Sequence, residues 1–191
     1  MDLVFIRHGQ GEHTLDIPKS LQIKDPSLTL KGEKQAKLLR NQFPLTNDDI
    51  IIISPTRRTL RTAFIWSENI DCRKIVSPLV SPRLFPLLPD KSTLPCDKIL
   101  DLEIIQKDFP TFEIDINVPL DLWSDGINVM PENKFIKIAE EFIINCKLLL
   151  KEKIYIVSHD GTITSYRQLI SGHNLSRKDF PSETGWFQIT C

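Results

Sequence analysis

Residues 3–9 have the sequence LVFIRHG, in which a short apolar run meets a cation and an imidazole without any spacer. A run of this length and composition is typical of a strand that is buried on both faces of a parallel sheet. In open parallel sheets, ligands bind just beyond the carboxyl ends of the strands. Arg7 and His8 are therefore predicted to lie at the binding edge of such a sheet.

Two further apolar runs end in the same way. The four isoleucines at residues 50–53 are followed within one helical turn by Arg57 and Arg58, and the run at residues 154–157 is followed by His159 after one serine. If the three strands are parallel neighbours, their ends meet beside helix N-termini, whose free N–H groups favour anions. The formal net charge is −1, so a general excess of basic residues does not explain why cations gather at these strand ends. A phosphate ester is the predicted ligand, because planar guanidinium groups match its oxygens in pairs.

Each of these side chains has a more ordinary interpretation when it is taken alone. A single arginine can lie on the surface, and a single histidine is more often a hydrogen-bonded core residue. Arg57 is expected on the solvated face of a helix, and Arg61 fits either that face or the site. His13 and His173 fall in loop-like sequence and are expected to be accessory rather than catalytic. The joint placement at three strand ends favours four residues as the catalytic set: Arg7, His8, Arg58 and His159.

The rest of the sequence alternates between helical and strand patterns. Helices are predicted at about residues 30–42, 55–69, 133–151 and 162–171. Thr29 and Ser54 stand at the N-cap positions of the first two. Short strands are predicted at residues 75–76 and, as an edge strand, at 186–189. This alternation predicts an α/β fold, a three-layer sandwich whose mostly parallel central sheet has helices on both faces, in a single domain over residues 1–191.

A proline-rich excursion interrupts this alternation at about residues 78–130. Seven of the 13 prolines lie between residues 78 and 119, which forbids a long helix there but leaves room for a short one at 100–108. We expect the excursion to cover the strand ends and to form part of the binding pocket. A simple surface connection is the alternative interpretation.

Composition excludes several classes of function. The hydrophobic fraction of 41% and the charged fraction of 26% are typical of a globular domain. The four cysteines form no CxxC pair, and neither His-rich metal motifs nor glycine-rich nucleotide loops occur, so no metal ion and no cofactor are expected. Neither a nucleic acid nor a membrane is an expected partner, because the chain has no basic surplus and no long apolar segment. The apolar run before Arg7 is too short for a signal peptide, so a cytoplasmic protein with reduced thiols is predicted.

Taken together, these motifs resemble those of the histidine phosphatase superfamily, also called the phosphoglycerate-mutase-like family. The triplet at residues 7–9 resembles its R-H-G signature, and residues 54–63 resemble its S-P-L-x-R-x-x-Q-T-A segment. Residues 158–161 resemble its second motif, [ST]-H-G-G, and residues 28–32 resemble its L-T-x-x-G. Further likenesses to a plant- and fungal-type branch of the family lie at Gln10-Gly11, His13, Pro95–Lys98, Phe109-Pro110 and Trp123.

The resemblance implies a metal-independent phosphatase. His8 would attack phosphorus and form a phosphohistidine that water later hydrolyses. Arg7, Arg58 and His159 would hold the phosphoryl oxygens, and the matched segment selects Arg58 rather than Arg57. A carboxylic acid would protonate the leaving group. Asp90, six residues before Cys96, is the first candidate for that acid, and Asp97 is the next.

The same resemblance places four residues around the substrate: Gln10, Gly11, Thr14 and Asp160. Three of them depart from the family pattern, because Gly11 stands where Ser or Thr is usual, Thr14 replaces asparagine, and Asp160 replaces glycine. The expected substrate is a small phosphorylated metabolite. A phosphoglycerate-type mutase and a weakly active protein that binds a phosphorylated ligand are the alternative functions.

Overall fold

The computed structural model of the protein describes residues 1–190; Cys191, one of the thiols expected to be reduced, lies outside the described residues. The helices are α1 (Leu30–Gln42), α2 (Arg57–Trp66), α3 (Leu102–Asp108), α4 (Leu122–Asp125), α5 (Glu132–Leu148) and α6 (Asp160–Ser171). The strands are β1 (Asp2–Arg7), β2 (Ile50–Ile53), β3 (Arg73–Val76), β4 (Glu113–Ile114), β5 (Lys153–Ser158) and β6 (Trp186–Thr190).

The strands form one sheet in the order β4-β3-β2-β5-β1-β6. Strands β1 to β5 pair in parallel, and β6 pairs antiparallel with β1 at the edge. Arg7 at the end of β1 lies opposite Ser158 of β5, while Ile53 at the end of β2 lies opposite Val157 of β5. The carboxyl ends of these three strands are therefore level and adjacent. The predicted mostly parallel α/β sandwich is confirmed.

Apolar side chains bury both faces of the sheet. Phe5 packs on one face of the sheet with Phe135 of α5 and Tyr166 of α6. Ile6 lies in the core on the other face, which also contains Trp66 of α2. Consecutive residues of one strand thus face two different cores, which explains why the strand sequences are uninterrupted apolar runs. Within residues 1–190, no helix has the length and apolar character needed to cross a lipid bilayer.

Two helices begin at other residues than predicted, and both differences concern the strand ends. Helix α2 begins at Arg57 with Thr56 at the N-cap position, so the prediction of Ser54 as N-cap was wrong. The Ser54 hydroxyl instead lies 2.7 Å from Nε2 of His159. Helix α6 begins at Asp160, two residues earlier than predicted, because the extended backbone of His159 already forms the N-cap.

Two helices also end earlier than predicted. Helix α2 ends at Trp66, and Asn69 has a positive φ of 68°, which a continuing helix does not allow. Helix α5 ends at Leu148, and Leu150 has a φ of 53° and is 90% exposed, so it lies beyond the helix that was predicted to reach residue 151. The buried stripe of α5 consists of Phe135, Ala139, Phe142 and Cys146.

The excursion at residues 78–130 contains more regular structure than predicted. Helix α3 corresponds to the short helix expected at 100–108, but α4 and β4 were not predicted. Strand β4 extends the sheet beside β3. It has only two residues, which are too few to show the alternation of apolar and polar residues by which a strand is recognised in a sequence. A short 3-10 helix at Pro95–Asp97 brings the carbonyl of Cys96 to the Arg58 side chain. This part of the excursion therefore lies at the strand ends.

Gly32 allows α1 to begin against the backbone that follows β1. A Cβ atom on Gly32 would lie 2.2 Å from the carbonyl oxygen of Gln10. The contact is reciprocal, because a Cβ on Gly9 would lie 2.5 Å from the carbonyl oxygen of Gly32. Such distances are far below van der Waals contact, so neither glycine can gain a methyl group unless the backbone moves.

We expect Gly32→Ala to lower the free energy of unfolding by about 2 kcal/mol, the usual scale of overpacking in a close contact. Alanine is the better helix former, so intrinsic propensity alone predicts a gain in stability instead. Urea denaturation of the purified variant measures the difference. Lys37→Ala on the exposed side of α1 is the matched control and should change stability little. A Gly32→Ala variant as stable as the parent would contradict the close approach.

Candidate active site

Three strand ends bring two histidines and a serine into contact. His8 follows β1, Ser54 follows β2 and His159 follows β5. The amide of His8 donates to the carbonyl of Ser158, and the amide of Ser54 donates to the carbonyl of Val157, which continues the sheet by one residue on each side of β5. The ring centroids of His8 and His159 are 5.1 Å apart. Both rings therefore lie in the same site.

Arg58 lies between the two imidazoles and is almost completely buried, with 1% of its side chain exposed. Its Nε donates to Nε2 of His8 and its Nη2 donates to Nδ1 of His159, both over 3.2 Å. Its Nη1 donates to the carbonyl of Cys96 over 2.7 Å, and Nη2 also lies 3.0 Å from a carboxylate oxygen of Asp97. One guanidinium thus joins the ends of two strands to the excursion.

Hydrogen bonding determines the tautomer of His8. Its Nδ1 lies 2.6 Å from the carbonyl oxygen of Gly9, which can only accept, so Nδ1 carries the proton. Nε2 then holds a lone pair, in agreement with its position as acceptor from Arg58. Burial and, after it, the charge of Arg58 lower the pKa of His8 well below its ordinary value. His8 is therefore neutral at neutral pH, with Nε2 available as a nucleophile.

His159 has the opposite tautomer. Its Nδ1 accepts from Arg58, because a guanidinium can only donate, so Nε2 carries the proton and donates to the Ser54 hydroxyl. Burial, followed by the charge of Arg58, also lowers the pKa of His159 well below its ordinary value. The two histidines are therefore a neutral pair held in fixed orientations.

Arg7 reaches the site from the end of β1 and is held by two acceptors. Its Nη1 donates to the carbonyl of Pro181 over 2.8 Å, and its Nη2 lies 2.9 Å from a carboxylate oxygen of Asp160. The other carboxylate oxygen of Asp160 accepts from the amide of Gly161 at the start of α6. The Nε of Arg7 is buried and has no hydrogen-bond partner among the described residues. A donor in this position can serve an anionic ligand.

The two acid candidates lie in different surroundings. Asp97 is partly buried and paired with Arg58; burial raises its pKa, and the charge of Arg58 opposes that change. Asp90 is exposed and has a φ of 60°, and its side chain forms no hydrogen bond or ion pair within residues 1–190. The structure therefore brings Asp97, and not Asp90, to the predicted catalytic set.

The residues predicted around the substrate are engaged in local contacts. The Gln10 side-chain oxygen accepts from the hydroxyl of Thr29, at the N-cap of α1, over 2.9 Å. The Thr14 hydroxyl donates to the carbonyl of Gly11 over 2.8 Å, so its hydrogen is already used. Gly11 itself is buried against the ring of His13.

The remaining cations of α2 are turned away from the imidazoles. Arg57 pairs with Asp25 and Asp108, and Arg61 pairs with Glu33. The first arrangement agrees with the predicted surface position of Arg57. The second places Arg61 on the helix face, which was one of its two interpretations. Both contrast with Arg58, whose partners are the site residues.

Several contributors to the site were not predicted. The carbonyls of Cys96 and Pro181 hold the two arginines, but a backbone carbonyl leaves no signal in the sequence. The contact between Ser54 and His159 was missed because Ser54 was interpreted as a helix cap. His13 was expected to be accessory, yet its ring centroid lies 5.6 Å from that of His8.

A cavity of about 680 Å³ lies elsewhere, between α5 and the edge of the sheet formed by β3 and β4. It is lined mainly by apolar residues, and none of the predicted site residues lines it. Within residues 1–190, no group of three or more metal-binding side chains is present. The predicted site residues thus lie at the strand ends and outside this cavity.

Comparison with known proteins finds a family match over the first part of the chain. Residues 3–84 match the family model described as histidine phosphatase superfamily (branch 1). A probable phosphatase of Schizosaccharomyces pombe is 28% identical over 113 residues, which are 58% of this chain and 50% of that protein. The match thus spans half the length of this curated relative.

Solved structures extend the likeness to the whole chain. The alpha-ribazole phosphatase of Shigella flexneri superposes with a TM-score of 0.64 at 20% identity, covering 100% of this chain and 90% of that one. The phosphoserine phosphatase of Entamoeba histolytica, in complex with 3-phosphoglyceric acid, superposes with a TM-score of 0.60 at 19% identity, covering 98% and 89% of the two chains. At such identities the likeness shows the fold.

The motif at residues 7–9, the arrangement of the strand ends and the family match agree with one another. Residues 3–84 therefore resemble the histidine phosphatase superfamily, and the chain shares the fold of the solved phosphatase structures.

Proposed function

We propose that this protein hydrolyses phosphate monoesters through a phosphohistidine on Nε2 of His8, without a metal ion. The observation that carries the proposal is the neutral imidazole of His8, whose Nδ1 proton is held by the carbonyl of Gly9 and whose Nε2 meets the buried guanidinium of Arg58. A neutral nucleophile beside a fixed positive charge suits attack on a dianionic phosphoryl group.

Two steps account for the turnover. In the first, the Nε2 lone pair of His8 attacks phosphorus, an N–P bond forms, the P–O bond of the ester breaks, and the leaving oxygen takes a proton from a carboxylic acid. In the second, water attacks the phosphohistidine, the N–P bond breaks, and the carboxylate takes a proton from that water. Inorganic phosphate leaves, and His8 returns to its original state.

Arg58 and Arg7 hold the phosphoryl oxygens in this scheme, and His159 joins them as the tautomer that carries its proton on Nδ1, once Arg58 turns from that nitrogen to the phosphoryl group. The two bonds from Arg58 to the imidazoles are long, at 3.2 Å, and a phosphoryl oxygen replaces them with charge-assisted bonds. The bonds to Cys96 and Asp97 keep the guanidinium in place. The unpartnered Nε of Arg7 supplies a further donor.

Asp97 is the proton donor that the surroundings favour. It is linked to the imidazoles through one guanidinium, and its burial supports the protonated form that an acid must have. Asp90 lacks contact with the catalytic set, so we assign the role to Asp97 and use Asp90 as the comparison.

The proposed substrate is a small phosphorylated metabolite. A solved neighbour with the same fold, the Entamoeba histolytica phosphoserine phosphatase, holds 3-phosphoglyceric acid, which is such a molecule. At this identity the two proteins share the fold. A screen of phosphorylated metabolites would identify the substrate.

We expect His8→Ala to abolish the hydrolysis of p-nitrophenyl phosphate in the presence of EDTA, because the nucleophile is lost. The release of p-nitrophenol measures the rate. His173→Ala is the matched control and should retain the parental rate, since His173 is exposed and distant in sequence from the motifs. Turnover that needs added metal, or that survives in His8→Ala, would contradict the proposed mechanism. Turnover that occurs only with a bisphosphoglycerate primer would instead indicate the mutase.

We expect Arg58→Ala to lower kcat/KM at least a hundredfold, on the scale of one preorganised charge donor. Arg57→Ala is the matched control one residue away, and it should change kcat/KM less than threefold because Arg57 pairs with surface carboxylates. Steady-state kinetics of both variants make the comparison. Equal losses in the two variants would show that the arginine was wrongly assigned.

We expect Asp97→Asn to slow the hydrolysis of an alkyl phosphate at least tenfold more than that of p-nitrophenyl phosphate, whose leaving group needs no proton. Asparagine keeps an oxygen that can accept from Arg58, so the change isolates the proton. Asp90→Asn is measured in parallel with both esters. If the selective loss occurs in Asp90→Asn and not in Asp97→Asn, the assignment of the acid is reversed.

A further inference from the structure

His13 is buried close to the ring of His8. The residue lies on a short 3-10 helix at Glu12–Thr14 and is 9% exposed. Its Nδ1 is buried and has no hydrogen-bond partner among the described residues. A histidine that only fills a core normally finds a partner for such an atom, because leaving it unpaired is costly.

The absence of a side chain at Gly11 makes room for this ring. A Cβ on Gly11 would lie 2.6 Å from Nδ1 and 2.7 Å from Cε1 of His13. The same Cβ would lie 3.4 Å from Cδ of Arg58. The unpartnered nitrogen and the Arg58 side chain therefore both lie close to the space that a side chain at residue 11 would fill.

The surroundings of His13 are positively charged. Burial, followed by the charges of Arg58 and Arg7, lowers the pKa of His13 to about 3. Charges on His13 in turn affect the pKa values of His8 and His159, so the three rings are within electrostatic reach of one another. At neutral pH the ring is a neutral hydrogen-bond donor in a pocket that favours an anion.

We propose that His13 is a further phosphoryl-binding residue, whose imidazole donates a hydrogen bond to an oxygen of the phosphoryl group held between His8 and Arg58. This inference rests on the proposed function of the site. It gives the orphaned nitrogen a partner only when the substrate is bound. It also gives Gly11 a role, since any larger residue there would displace the ring.

The competing interpretation is that His13 only fills the space above Gly11. Two substitutions separate these possibilities. His13→Leu keeps an apolar volume of similar size but removes every donor, whereas His13→Asn places an amide N–H close to the position of Nδ1. A space-filling role predicts that leucine is the better replacement, and a phosphoryl-binding role predicts that asparagine is.

The experiment measures the binding of inorganic phosphate to the full chain by titration calorimetry, together with the hydrolysis of p-nitrophenyl phosphate. We expect His13→Leu to weaken phosphate binding about ten- to a hundredfold, the scale of one hydrogen bond to a charged group. The phosphate affinity of His13→Asn should stay within about tenfold of that of the parent. Gly11→Ala should resemble His13→Leu, and the double variant should show little further loss, because both changes remove the same contact.

A nitrogen NMR spectrum of the unmodified protein gives a second readout that does not depend on the folding of a variant. Added phosphate should shift the Nδ1 resonance of His13, as a newly formed hydrogen bond requires. Equal phosphate affinity in His13→Leu and the parent, or an Nδ1 resonance that phosphate leaves unchanged, would overturn the inference. Hydrolysis that still depends on His8 in that case would leave the proposed function intact, so the two failures are distinguishable.

Discussion

The buried charge of Arg58 is the constraint on which the site depends. A guanidinium that is removed from water is tolerated only if its donors find acceptors, and an uncompensated charge would cost several kcal/mol. Its acceptors come from separate parts of the chain: His8 after β1, His159 after β5, and the segment of Cys96 and Asp97 in the excursion. Satisfying this one side chain therefore requires the strand ends and the excursion to meet.

The sheet supplies the geometry that the guanidinium needs. Because β1, β5 and β2 are parallel neighbours in level register, the residues after them emerge at one edge. The backbone then sets the chemistry of each ring. The carbonyl of Gly9 directs the proton of His8 to Nδ1, and the contacts of His159 with Ser54 and Arg58 direct its proton to Nε2. The two histidines bonded to Arg58 thus differ in which ring nitrogen carries the proton.

The parts of this arrangement that could be predicted from sequence are those that repeat a strong pattern. Strands β1, β2 and β5 were recognisable because both of their faces are buried, and His8 and His159 could be placed because each follows such a strand. Ser54 was misinterpreted because a serine before a proline fits a helix cap equally well. The carbonyls of Cys96 and Pro181 could not be predicted, because their roles depend on backbone positions that tertiary structure alone determines.

The acid and the third histidine show a different limit. The resemblance to the family placed Asp90 ahead of Asp97, but a loop rich in proline can carry either residue towards or away from the strand ends. His13 lies in a segment without periodicity, and the likeness of Gln10-Gly11 and His13 to one branch of the family gave no position for the ring. Its burial beside His8 follows from the space that Gly11 leaves, which no linear pattern expresses.

The most direct test of the whole account is to trap the reaction intermediate and locate its phosphorus atom. The protein is mixed with a phosphate monoester and quenched in base, which preserves phosphohistidine, and the adduct is mapped by mass spectrometry and its attachment determined by phosphorus NMR. The account predicts one phosphoryl group, on Nε2 of His8, because the Gly9 carbonyl occupies Nδ1. Phosphorus on Nδ1 of His8, on His13 or on His159 would contradict it.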